Sequence, residues 1–370
     1  LLLFVSGAIV GGCGGTGAAG DAEKDAASPT IALEPVATIG CADCAGPELI
    51  TPTVISLLED GRLAVLDRYE PFVRIFGPGG QPELSFGSRG QGPGELGSEM
   101  GGMYFSGAYL LPWPDGELSV LELMPAVLET FSASGEFLRQ ETLDLPFAAP
   151  GAQAFAPSTG TYFRHSYLPT SEEPDVIERC IIDVNGGSEC AQITTAIALT
   201  GAAPEGFRAV LAAAATPSGE LVIADTATYR LWVLDGDGNA VRQFGRDIPP
   251  PPKSAEQLEA EREANRARLE SGREEREIDP SRPYIVRSGI QVDGSDRIWV
   301  LTQRYTADEW VFDVLDAEGA FLNEVRTEAL TAMDGYQITP FAITGDRLAV
   351  VSNQADGSAR IDVYRIVESD

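Results

Sequence analysis

This chain is sparing with side chains that can move protons, attack carbon or hold a metal. It contains one histidine, His165, in 370 residues. A Ser–His–Asp arrangement or a histidine-rich zinc site would have that residue alone to draw on. It sits in a strand-forming run, GTYFRHS, which suits a packed histidine better than a reactive one. Carboxylates offer more. Asp67, Glu122 and Asp225 each close a short apolar run: GRLAVLD, GELSVLE and GELVIAD. Carboxylates at equivalent positions could ring a calcium ion, which takes about six to eight oxygens. A calcium-dependent hydrolase or lyase, lactonase-like, is therefore the catalytic alternative. Ser166, Thr302 and Ser352 hold the matching places in other runs, so the ring is incomplete. The competing role for these carboxylates is to accept backbone amides from the loops that follow them.

Two further groups have chemical potential. Gly87 to Glu95 reads GSRGQGPGE and is glycine-rich like a phosphate cradle. No helix signal follows it and its proline removes an amide donor, so a packing turn with Arg89 set against Glu95 is the better reading. Five cysteines are present. Cys180 and Cys190 flank the DVNG turn at Asp183 to Gly186, and a three-residue loop there would place them opposite each other across one hairpin, as a disulfide. Cys41 and Cys44 are spaced for a local disulfide. A redox pair would need a strand–helix context that is missing, and a zinc half-site would need two more ligands.

The elements that must position these residues are legible as a repeat. Five times an apolar strand runs into a four-residue turn ending in glycine: GPGG to Gly80, SASG to Gly135, DVNG to Gly186, DGDG to Gly238 and DAEG to Gly319. Glycine at a left-handed position after a type I turn is a hairpin signature. The glycines recur at about fifty residues, with one longer gap, which is a repeat architecture. Before each turn come two apolar runs, such as GRLAVLD then FVRIF, or GELVIAD then LWVLD, and a further strand follows. Four antiparallel strands per unit describe a propeller blade. The expected fold is all-β, a six-bladed propeller over residues 31–370.

The last unit stops after three strands, at Arg360 to Val367. An unassigned strand-like run, Ile31 to Ile39 (IALEPVATI), is available to complete it. Pairing the two would close the ring and remove an exposed edge. The long gap marks an insert between blades four and five, residues 246–283. It opens on Pro249 to Pro252, and Ser254 with Gln257 forms a capping box for a charged helix over 253–278.

Composition bounds the surroundings. Fifty-six acidic against 26 basic residues give a net charge of −30. That balance excludes nucleic acid as a partner, because a phosphate backbone requires a basic surface. Residues 1–13 hold an apolar run, Leu1 to Val10, too short to span a bilayer but suited to an export signal. Val10-Gly11-Gly12-Cys13 resembles a bacterial lipobox, which implies lipidation at Cys13 and membrane contact through that lipid only. Residues 14–30 are small and polar, a flexible tether. Gly14 after the cysteine, by resemblance to enterobacterial lipoproteins, implies the outer membrane.

In a propeller, the loops from second to third strand and from each blade to the next share one face, here called the top. Arg68, Tyr69, Arg89, Glu95, Tyr229 and Arg304 lie on such loops and form the candidate contact surface. The run Phe86 to Leu96 (FGSRGQGPGEL), the unit Leu221 to Gly238 and the run GIQVDGSDRIWV ending at Val300 resemble bacterial six-bladed propellers related to the NHL repeat. That resemblance implies a binding platform for an envelope protein or small ligand. Amidating lyases of the superfamily use several histidines that have no counterpart here. The reading is a non-catalytic binding scaffold with no cofactor.

Overall fold

The computed structural model describes residues 30–41, 44, 49, 52–67, 69–70, 72–90, 92–97, 108–123, 126–143, 149–167, 176–183, 187–195, 199, 211–275, 277–304, 309–328, 341–353 and 359–369. The lipobox with Cys13, the tether, Arg68 and the tip of the DVNG turn lie outside them.

Six four-stranded antiparallel sheets form a ring. Blade one is Pro52–Leu57, Leu63–Asp67, Val73–Phe76 and Pro82–Phe86. Blade two is Tyr109–Pro112, Leu118–Leu123, Ala126–Phe131 and Phe137–Thr142. Blade three is Ala149–Ala156, Thr161–Tyr167, Val176–Ile182 and Ser188–Thr195. Blade four is Leu211–Ala215, Leu221–Asp225, Arg230–Leu234 and Ala240–Gly245. Blade five is Ile285–Val292, Ile298–Thr302, Glu309–Leu315 and Phe321–Glu328. Blade six takes Phe341–Thr344, Arg347–Asn353 and Ala359–Ser369 from the end of the chain, and Thr30–Ile39 from its beginning.

The closure expected from the sequence is present. Thr30 pairs with Ser369 and Ile39 with Ile361, with one bulge between Pro35 and Ala37. Thr38 Oγ1 donates to Asp362 Oδ1 at 2.8 Å across this junction. The glycine turns ending at Gly80, Gly135, Gly238 and Gly319 form as expected too. Gly80 and Gly238 have φ of +84° and +83°, and in each the glycine amide donates to the first residue of its turn. A substituent at Gly238 would meet the Ile193 carbonyl at 2.4 Å, so space as well as backbone angle demands glycine there.

Why the sheets assemble is visible in burial. Second strands such as Leu63–Asp67 and Leu221–Asp225 are buried along their whole length, because neighbouring blades cover both faces. Six apolar clusters fill the six seams, one between each pair of adjacent blades. Large side chains such as Trp299 and Phe312 at the blade five–six seam are fully buried, each contributing about 1.5–3 kcal/mol. Cys180 and Cys190 are directly opposed and disulfide-bonded, and Cys41 is bonded to Cys44.

The insert leaves blade four on two antiparallel legs. Lys253 N donates to the Pro280 carbonyl at 2.9 Å, and Arg282 N to that of Pro251 at 2.7 Å. The capping box is formed: Gln257 N donates to Ser254 Oγ at 3.1 Å, and Ser254 N to Gln257 Oε1 at 2.9 Å. The helix α1 spans Ala255–Glu270, shorter than the 253–278 expected. It ends because Gly272 adopts φ +76°, while Arg273 N returns to the Arg268 carbonyl and Gly272 N to that of Leu269. These two bonds satisfy carbonyls left over at the last turn. The charged segment beyond continues the composition of a helix without its hydrogen bonds.

Candidate functional site

The three candidate metal carboxylates are each engaged by a local loop. Asp67 Oδ1 accepts the Tyr69 amide at 3.4 Å, and its Oδ2 lies 3.8 Å from Arg74 Nε. Glu122 Oε1 accepts the Gly97 amide at 2.7 Å, pinning the glycine-rich connection to blade two. Asp225 holds its own turn, accepting Ala227 N at 2.9 Å and Thr228 Oγ1 at 2.7 Å. At the matching place in blade five, Thr302 Oγ1 donates to the Val311 carbonyl at 2.9 Å. Among the described residues no group of three or more His, Cys, Asp or Glu side chains is arranged to hold a metal. His165 is buried in blade three.

The top-face candidates divide. Tyr69 is exposed, and Arg89 is exposed with its amide donating to Glu70 Oε1 at 2.8 Å. Glu95, expected against Arg89, turns inward and accepts the Gly92 amide at 2.9 Å. Tyr229 is not a contact residue. It is wholly buried, and its hydroxyl donates to Asp313 Oδ2 at 2.6 Å. Arg304 is drawn into the same seam, bonding Asp313 Oδ1 and, at 2.8 Å, Glu324 Oε2. Arg246 completes the group, 2.6 Å from Asp313 Oδ2 and stacked 3.8 Å above the Phe321 ring centroid. Burial first, and then the Asp313 charge, push the Tyr229 hydroxyl far above its ordinary pKa, so it remains a donor. Tyr229 reads as surface in the sequence because its partner, Asp313, lies 84 positions away on another blade, while Arg304 meets the same aspartate across its own hairpin.

A second carboxylate, Glu129, occupies the place in blade two that Asp313 occupies in blade five, three residues before the turn. Its Oε1 accepts Gln140 Nε2 at 2.9 Å, but its buried Oε2 has no hydrogen-bond partner. Burial, then the nearby Glu122 and Glu95 charges, raise its pKa from an ordinary 4.5 to about 7.

A central channel of about 780 Å³ is lined by the first strands of all six blades and the turns that follow them. It opens on the face opposite the top-face candidates, since those turns join first to second strands. One wall is aromatic. Trp113 packs edge-on against Phe155 with centroids 5.1 Å apart, and Tyr109 and Tyr162 lie above them. Trp113 is fixed by its indole N–H, which donates to Ser119 Oγ at 2.8 Å. The neighbouring wall on blade four is alanine, Ala213 to Ala215, whose small side chains leave the space open. Tyr162 donates its hydroxyl to Gln153 Oε1, and Gln153 Nε2 is buried without a partner. Burial raises the Tyr109 phenol above its ordinary pKa, against the pull of the Arg287 guanidinium. The channel is not legible in the sequence because its lining is two to four residues from each of six separate strands. The alanine run was the one available signal.

No protein-family profile and no curated protein matches the sequence. Solved structures do. A member of the DUF4221 family from Bacteroides vulgatus is 11% identical, with a TM-score of 0.56 covering 92% of this chain and 99% of that one. A protein of unknown function from Bacteroides thetaiotaomicron is 11% identical, with a TM-score of 0.50 covering 92% and 76%. Virginiamycin B lyase from Staphylococcus aureus is 10% identical at 0.45, covering 91% and 100%. At such identities the likeness is one of fold, and by its strand order, its seams and the two Bacteroides neighbours the chain is a six-bladed β-propeller.

Proposed function

We propose that the protein is a non-catalytic binding propeller of the bacterial cell envelope, tethered by lipid on Cys13, and that it takes a small ligand in its central channel. The observation that carries this reading is the channel itself. Its volume of about 780 Å³ falls within the range of small-molecule sites, and its walls combine apolar rings with a few polar groups. Support over the calcium-dependent hydrolase or lyase comes from Asp67, Glu122 and Asp225, which sit in three different blades and hold backbone amides of nearby loops. Carboxylates already committed to loop amides make poor candidates for a shared cation. Among the described residues no helix is long and apolar enough to cross a membrane.

Filling the channel tests the reading. Ala215→Phe places a ring in the half-buried lining of blade four. A panel of small molecules is screened by thermal melting against wild type and variant. Ligands that raise the wild-type Tm should lose their effect in the variant, and a panel whose hits are all retained removes the channel as the site. Cys13→Ala should abolish labelling by radioactive palmitate and release the protein from the membrane fraction. Unchanged labelling would remove the lipid.

A further inference from the structure

The connection from blade one to blade two, Gly87 to Gly97, is folded back onto the seam between them. It turns at three glycines in the left-handed region: Gly87 at φ +82°, Gly94 at +78° and Gly97 at +87°. Ser88–Arg89 pairs in parallel with Glu95–Leu96, which draws the segment into a closed loop. Leu96 is its plug, fully buried in the apolar cluster that joins the two blades. Two carboxylates hold the backbone in place. Glu95 Oε2 accepts the Gly92 amide at 2.9 Å, and Glu122 Oε1 accepts the Gly97 amide at 2.7 Å.

Glu129 lies behind this clasp. The strand register puts it on the same face of blade two as Glu122: Glu129 is opposite Val120, and Glu122, two residues further on, is opposite Val127. Such diagonal neighbours lie about 7–8 Å apart. On its other side Gln140 donates to Glu129 Oε1 at 2.9 Å. Its Oε2 has no partner, in a residue only 1% exposed. Among the described residues the charges that act on it are Glu122 of its own blade and Glu95 of the connection, and no cation offsets them. Blade one meets this face with apolar side chains, Leu66, Phe72, Val73 and Ile75.

From this arrangement we infer that the connection is a clasp gated by a proton, shut while Glu129 is neutral and loosened when Glu129 ionises. An ionised Glu129 cannot reach water from inside the seam, whereas Glu95 and Glu122 are only half-buried. Like charges gathered in a desolvated site are relieved by moving the groups that can reach solvent. Glu95 and Glu122 turning outward give up the Gly92 and Gly97 amides, and the loop swings at its glycines. Linkage fixes the direction: the shut state holds the proton more tightly, so rising pH favours opening. Burial, with the two neighbouring carboxylates, lifts the Glu129 pKa to about 7, which centres the response near neutrality. Opening also rearranges the top face, because the Arg89 amide of this loop is tied to Glu70 Oε1 at 2.8 Å.

The test is hydrogen exchange on the full chain at pH 5.5 and 8.5, read by mass spectrometry as protection factors so that the intrinsic pH dependence of exchange cancels. In wild type the peptide carrying Gly92 to Gly97 should lose protection by about five-fold or more between the two conditions. Strands Leu221–Asp225 and Arg230–Leu234 of blade four should keep theirs. Glu129→Gln keeps the shape and cannot ionise, so it should remove the loss at the loop. Loop protection equal at both pH values, a matching loss in blade four, or a loss that persists in Glu129→Gln overturns the inference. Where that variant does not melt cooperatively, Glu122→Gln takes its place: its amide oxygen can still accept the Gly97 N–H, and the loss should shrink. A loss that does not shrink there overturns the inference equally.

Discussion

Blades two and five place a carboxylate at the same position of the third strand, and the two neighbourhoods are electrostatic opposites. Asp313 is fully buried but receives the Tyr229 hydroxyl, Arg304 and Arg246. Glu129 is equally buried, receives one amide from Gln140, and otherwise faces Glu122 and Glu95. A buried charge is tolerable when paired and costly when not, and a carboxyl lacking partners can take up a proton instead. Asp313 is met by two guanidinium groups and a phenol in its seam, while Glu129 sits near the pH at which it exchanges its proton. One repeat position can thus serve as a lock in one seam and as a titrating group in another, depending on what the facing strands supply.

The largest expected effect tests the lock. Asp313→Ala leaves two arginines and a buried tyrosine without their acceptor and should cost about 3 kcal/mol in urea denaturation. A loss below about 1 kcal/mol would mean that Arg246 and Arg304 gain as much from water as from the carboxylate.

Next comes the pH dependence of the other seam. The folded-state pKa of Glu129 lies above its unfolded value, so the folded protein binds the proton more tightly. Its contribution to stability is therefore fully present below about pH 4.5 and is lost as pH rises through about 7. Glu129→Gln should be stabler than wild type by about 2 kcal/mol at pH 8 and gain nothing at pH 4, read as the difference between the two pH–stability curves. A difference that is flat with pH would place an ordinary carboxylate at this site. Glu122→Gln should move the midpoint of that curve toward lower pH by a fraction of a unit, because burial outranks the Glu122 charge among the causes. An unmoved midpoint would leave burial and the Glu95 charge responsible.

The comparison also marks where sequence reading stops. Blade boundaries, the closing strand, the Cys180–Cys190 pairing and the start of helix α1 were legible, because each depends on residues close in sequence or on one fixed repeat. The end of the helix was missed because Arg273 to Ile278 are helix-forming in composition, and only the backbone at Gly272 stops them. Tyr229 and Arg304 follow strands in the sequence like surface loop residues, yet both turn inward to an aspartate on another strand. Glu129 drew no attention beside Glu122, since nothing local distinguishes a carboxylate facing solvent from one facing two others. The channel depends on six strands at once, so its walls emerge only when the ring is closed.

The junction of Thr30–Ile39 with Ala359–Ser369 has a consequence for how the molecule comes into being. Thr38 and Asp362 are separated by 324 positions, so the first strand made waits for nearly the last before it has a partner. Contacts of such sequence separation form late, since a long loop must be closed before any gain is realised. During synthesis the growing ring therefore carries an unlatched edge, and an escorting chaperone would find its binding surface on the lone leading segment.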